Sequence, residues 1–77
     1  METTLNELQH GKMAHVKSLT CQGALRRRII DMGITPGAAI FVRKTAPFGD
    51  PLQVNVRGYE LSLRMSEAKQ ITVEYED

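Results

Sequence analysis

The chain has 77 residues, 42% of them hydrophobic and 25% charged, a balance that can close one small core and has no material for a second lobe. Ten Lys and Arg stand against nine Asp and Glu, so the net charge of +1 supplies no overall field for phosphates or acidic lipid. One cysteine, Cys21, excludes an intramolecular disulfide and fits a reducing, cytoplasmic setting; no apolar run approaches the length of a membrane span, and the first ten residues lack the blocks of a signal peptide.

Thr4-Leu5-Asn6-Glu7 has the spacing of a capping box and predicts a short helical turn that ends at Gly11, with Leu5 and Leu8 on one side. Lys12 to Leu19 reads as a strand with Ala14 and Val16 on its inner face and His15 and Lys17 outside. Thr20 is the expected cap of a helix in which Leu25, Ile29 and Met32 recur at helical spacing, and Gly33 is its expected stop. Thr35-Pro36-Gly37 suits a type II turn. Ala39 to Ala46 predicts a strand with Ile40 and Val42 inward and Phe41, Arg43 and Thr45 outward, broken by Pro47, Gly49 and Pro51. Leu52, Val54 and Val56 alternate with Gln53, Asn55 and Arg57, and a tight turn near Gly58 leads to Leu61 and Leu63 in phase on the return strand. A helical turn at Ser66-Glu67-Ala68-Lys69 and a strand through Ile71, Val73 and Tyr75 complete the chain. The expectation is a mostly β fold over residues 1–77 as one domain. It is a small barrel of about five strands with one inserted helix and a short N-terminal helical turn.

Chemistry is sparse. His10, His15 and Cys21 match no zinc or haem spacing, so no metal site is expected. The carboxylates are scattered through turns and ends without an acid and base pair, and no phosphate-binding glycine loop occurs, so neither an enzyme nor a cofactor is expected. Arg26, Arg27 and Arg28 are adjacent on the helix, and at 100° per residue they cannot all face one partner. With two Phe and two Tyr, the chain also lacks the stacking platform of a single-strand RNA binder. Ile30 falls beside Arg26 at the border of the buried stripe, and Phe48 tops a Pro/Gly-rich turn; each is placed either to close the core or to meet a partner.

The run Arg28-Ile29-Ile30-Asp31-Met32-Gly33-Ile34-Thr35-Pro36-Gly37, then Ala46-Pro47-Phe48-Gly49-Asp50-Pro51 and Leu61-Ser62-Leu63-Arg64, resembles the FeoA family of ferrous-iron transport accessory proteins. Leu5-Asn6-Glu7-Leu8 and Gly11 are similar to the start of that family. The helix departs conservatively, with Ile29, Ile30 and Met32 where leucines are common. The resemblance implies an SH3-like barrel in a bacterial or archaeal cytosol, at the inner face of the membrane through its partner FeoB. FeoB is a membrane Fe²⁺ transporter with a cytosolic GTPase domain. It implies no catalysis by this chain, and transition-metal binding enters as a family-level term rather than as a site. Arg26, Arg27, Ile29, Ile30 and Phe48 are the candidate partner contacts, and one of the three arginines is a candidate arginine finger toward the GTPase. The alternatives from other classes are a regulatory module acting on an iron-dependent repressor, which carries a similar SH3-like part, and an RNA-binding small barrel.

Overall fold

In the computed structural model, which describes residues 1–76, the element order is β1 (Glu2–Thr4), a 3₁₀ turn (Leu5–Glu7), β2 (Met13–Leu19), α1 (Gly23–Asp31), β3 (Ala39–Thr45), β4 (Leu52–Val56), β5 (Tyr59–Leu63), α2 (Met65–Ala68) and β6 (Ile71–Glu74). All strand pairings are antiparallel, in the spatial order β1-β6-β2-β3-β4-β5. The described residues thus form six strands where the sequence suggests about five. The added one is β1, whose last residue, Thr4, the sequence reads as the cap of a helical turn.

The sheet order is linear, and the two ends meet through helical turns rather than through a ladder: α2, which follows β5, packs on the 3₁₀ turn that follows β1. One apolar core fills the interior, with Ile29 of α1, Ile40 and Val42 of β3, Val54 of β4, Leu63 of β5 and Val73 of β6 all fully buried. Leu5 from the 3₁₀ turn and Ile34 from the loop after α1 are fully buried as well.

Two β-bulges correct the simple alternation expected of the strands. The β2–β6 ladder slips between Val16 and Ser18, so Lys17 is the extra residue and Leu19 returns to the inner face opposite Ile71. The β3–β4 ladder slips between Val42 and Lys44, which places Thr45 opposite the buried Leu52 instead of on the outer face.

Three turns follow from local chemistry. Gly33 takes φ of 91°, donates to the Ile30 carbonyl at 2.9 Å and lets the Ile34 amide reach the Ile29 carbonyl at 3.2 Å. This is a Schellman stop, in which the residue past the helix and one in its last turn bury together, here Ile34 and Ile29. The Ala38 amide closes the turn over Pro36 and Gly37 onto the Thr35 carbonyl at 2.9 Å. Arg57 and Gly58 join β4 to β5 with φ of 54° and 84°, the two positive values that a two-residue type I′ hairpin demands.

Both expected N-terminal caps are replaced. Thr4 makes no cap bond; its hydroxyl bonds the Asn6 side chain at 2.6 Å, so the capping box does not form. Thr20 does not cap α1 either, since Gln22 occupies that position. The Thr20 amide and hydroxyl instead bond the Gln70 carbonyl and side chain, both at 2.8 Å, and tie the end of β2 to the entry of β6.

Candidate partner-binding surface

The three arginines diverge as helical geometry requires. Arg26 Nη1 turns back to the Leu19 carbonyl at 3.2 Å, and Arg28 Nη1 reaches Glu67 Oε2 of α2 at 2.9 Å. Arg27 stands in solvent with no hydrogen bond or ion pair among the described residues. Ile30, one helical turn from both Arg26 and Arg27, keeps 37% of its surface exposed. Ile29 is fully buried, so it belongs to the core and leaves the set of candidate contacts.

Phe48 is 99% exposed. Its turn is nonetheless fixed: the Gly49 amide bonds the Ala46 carbonyl at 2.8 Å, and the Ala46 amide bonds the Pro51 carbonyl at 3.0 Å. Asp50 Oδ1 then accepts the Met65 amide at 3.0 Å, which fastens the turn to the start of α2. Glu67, buried on α2, accepts both the Arg64 amide at 2.8 Å and Arg28 of α1. A continuous set of polar links therefore joins the Phe48 turn to α2 and α2 to α1.

These elements enclose an open cleft of about 300 Å³ lined by Arg28, Asp50, Pro51, Ser62, Arg64 and Glu67. Both lining carboxylates already accept hydrogen bonds from the fold, whereas Arg28 and Arg64 are exposed and keep donors free for an incoming acceptor. The sequence marked α1 and the Phe48 turn; it carried Ser62 and Arg64 within the family resemblance and Glu67 within a helical turn, and assigned none of the three to the site. The usable signal was Arg64-x-x-Glu67, the reciprocal half of a capping box, in which Glu67 reaches back to the Arg64 amide.

A larger cleft, about 630 Å³, lies on the outer side of β2 and β6 and is lined by Met1, Met13, His15, Glu74, Tyr75 and Glu76. His15 and Glu74 are direct cross-strand neighbours there. No group of three or more His, Cys, Asp or Glu arranged to hold a metal occurs among the described residues. His10 is exposed in the loop before β2, and Cys21 is a free, buried thiol packed in the core. Among the described residues no helix is long and apolar enough to cross a membrane. The smaller cleft has arginine donors to offer and is lined by Arg28 of α1 and by Asp50 and Pro51 of the Phe48 turn, whereas Arg27, Ile30 and Phe48 themselves lie outside it.

The model of the FeoA domain matches residues 3–75. A curated relative from Porphyromonas gingivalis, described as a fusion of Fe(2+) transport protein A with the Fe(2+) transporter FeoB, is 37% identical over 70 residues. The match takes in 91% of this chain and 8% of that protein. Among solved structures, the FeoA-like protein of Clostridium acetobutylicum superposes with a TM-score of 0.88 at 43% identity, covering 96% of this chain and 86% of that one. FeoA of Stenotrophomonas maltophilia, solved with zinc and described as a prokaryotic SH3 domain protein, gives 0.82 at 33% identity over 94% and 89%. A manganese-dependent transcriptional repressor shares the fold alone, with a TM-score of 0.88 at 17% identity over 97% of this chain and 42% of that one. The expected SH3-like architecture is therefore present, and the chain belongs to the FeoA family, the accessory proteins of ferrous-iron transport.

Proposed function

We propose that this protein is a non-catalytic partner of an FeoB-type Fe²⁺ transporter, docking on its cytosolic side through α1, the Phe48 turn and the cleft between them. The observation that carries this reading is the Porphyromonas gingivalis relative, in which an FeoA part and FeoB occupy one polypeptide. Covalent fusion of two modules is economical where they act at one place, because the linker supplies the local concentration that separate chains must gain by affinity. The surface offers what a docking site needs: Phe48 as an exposed aromatic on a fixed turn, and on α1 Ile30 as a part-exposed apolar side chain with Arg27, one helical turn away, as a cation uncommitted within the fold.

Modulation of the transporter's GTPase is part of the same proposal. Arg26 and Arg28 are engaged with Leu19 and Glu67, so Arg27 is the residue best placed to lend charge to a neighbouring phosphoryl-transfer site. Affinity capture from a lysate with solubilised membranes tests the partnership: recovery of an FeoB-type transporter is expected. Recovery of a repressor or RNA in its place overturns the reading. For the GTPase, hydrolysis by the transporter is expected to change on stoichiometric addition of this protein and to return toward its basal rate with Arg27→Ala.

A further inference from the structure

β5 is an edge strand: it pairs with β4 and, among the described residues, with no other strand. The two-residue hairpin makes Val56 and Tyr59 a hydrogen-bonded pair, and the alternation then makes Val54 with Leu61 and Leu52 with Leu63 the next two. Glu60 and Ser62 therefore turn their backbone N–H and C=O groups away from β4, toward the open edge.

The surroundings of this edge differ at its two ends. At the start, Tyr59 is 74% exposed and Leu61, on the same face, is half-buried. At the far end, Ser62 and Arg64 enter the cleft that also holds Arg28. Pairing cannot extend along the edge past Ser62, because the next outward amide, that of Arg64, is already given to Glu67. A strand added here would lay an apolar side chain against Tyr59 and Leu61 and carry its next residues into a cleft with spare guanidinium donors.

We infer that the β5 edge takes up an extended segment of the transporter partner, which adds a seventh strand through Glu60 and Ser62 and places an acidic side chain against Arg64 and Arg28. Main-chain bonds supply the affinity and the two ends supply the selectivity, as in other cases of strand addition. The donors left over in the cleft select this occupant: Arg28 spends one N–H on Glu67, whose two oxygens are both filled, Arg64 keeps its guanidinium donors, and only one oxygen of Asp50 is engaged by the fold. The inference rests on the FeoB reading and adds the chemistry of the bound segment.

The test is amide hydrogen exchange of the full chain with and without the purified FeoB-type transporter in micelles. Slowed exchange at Glu60 and Ser62 in the complex is expected. Ser62→Pro removes one outward amide that the fold does not use, so it should fold and bind at least about tenfold more weakly, whereas Ser62→Ala keeps the amide and should bind as the wild type does. Arg64→Glu should also weaken binding by about tenfold, through loss of a charge-assisted contact, and this variant decides the matter should Ser62→Pro fail to fold. Binding with protection at α1 and none at Glu60 or Ser62 overturns this inference and leaves the FeoB reading intact. No binding at all removes both. Protection at Glu60 and Ser62 that appears in the free protein as its concentration rises means that a second copy occupies the edge, and overturns the inference.

Discussion

Ile29 and Ile30 are adjacent, chemically identical and opposite in role. The 100° step between them puts one in the core and leaves the other with 37% of its surface in water. Ile29→Gln should lower unfolding stability by about 3 kcal/mol or more, since it removes buried apolar contact and inserts an amide with no partner. Ile30→Gln should stay within about 0.5 kcal/mol of wild type and lose partner binding. Urea unfolding read beside capture of the transporter checks the pair. Gly33→Ala separates backbone strain from crowding: the added Cβ would meet Arg57 Cδ at 3.7 Å, an ordinary contact, so the expected loss of about 1 kcal/mol comes from φ of 91° alone. Arg57 carries the reverse case. It holds φ of 54° for a single long 3.4 Å bond to Thr35, and Arg57→Asn, in a turn that favours Asn-Gly, should raise the melting temperature. Gly58 announced that hairpin in the sequence; the positive φ of an arginine beside it was not legible, because arginine has no local preference for that region.

Among the elements, those with clean periodicity were readable, and those whose phase is broken by tertiary pairing were not. β4 alternates without interruption because β5 keeps register along it and the slip against β3 is taken up by the extra residue on β3, so its three apolar residues are buried as expected. In β2 and β3 a bulge sits where a charged residue, Lys17 or Arg43, looks like any other outward position, and nothing local says that the count will slip there. Lys17 then reaches across β6 to an ion pair with Glu2 that holds the short β1 edge. The hydrogen bond from Lys17 to Glu2, followed by its charge, raises the lysine above its ordinary value of 10.5. A raised folded-state value means that the contribution is complete below the ordinary lysine range and is lost as pH rises through the higher folded value. Stability should therefore fall in alkaline solution beyond that range, and Glu2→Gln should flatten that limb of a stability profile measured by urea unfolding. Glu67 is the other element-scale joint. Glu67→Ala should cost about 2 kcal/mol, because it strips a buried carboxylate from the Arg64 amide and from Arg28 together, and the exposed side of Arg28 can rehydrate.

For the molecule as a whole, the sequence carried the fold further than the site. Turn residues and alternation are local signals, so Gly33, the Pro36-Gly37 turn and the β4–β5 hairpin pointed to a small barrel, and the family resemblance implied that it is SH3-like. The cleft is assembled from segments far apart in the chain, joined by Asp50 to Met65 and by Glu67 to Arg28, and no spacing in the sequence encodes those meetings. The same links tie α1 and the Phe48 turn, marked separately from sequence, to α2, and the surface of these elements is the proposed contact. The central claim is that this surface binds an FeoB-type transporter, and calorimetric titration of the purified transporter with wild-type protein and with Ile30→Gln tests it most directly. Saturable binding of the wild type, lost in a variant that remains folded, is the predicted result. Equal binding by both proteins would contradict the assignment of the surface, and no heat from the wild type would contradict the partnership itself.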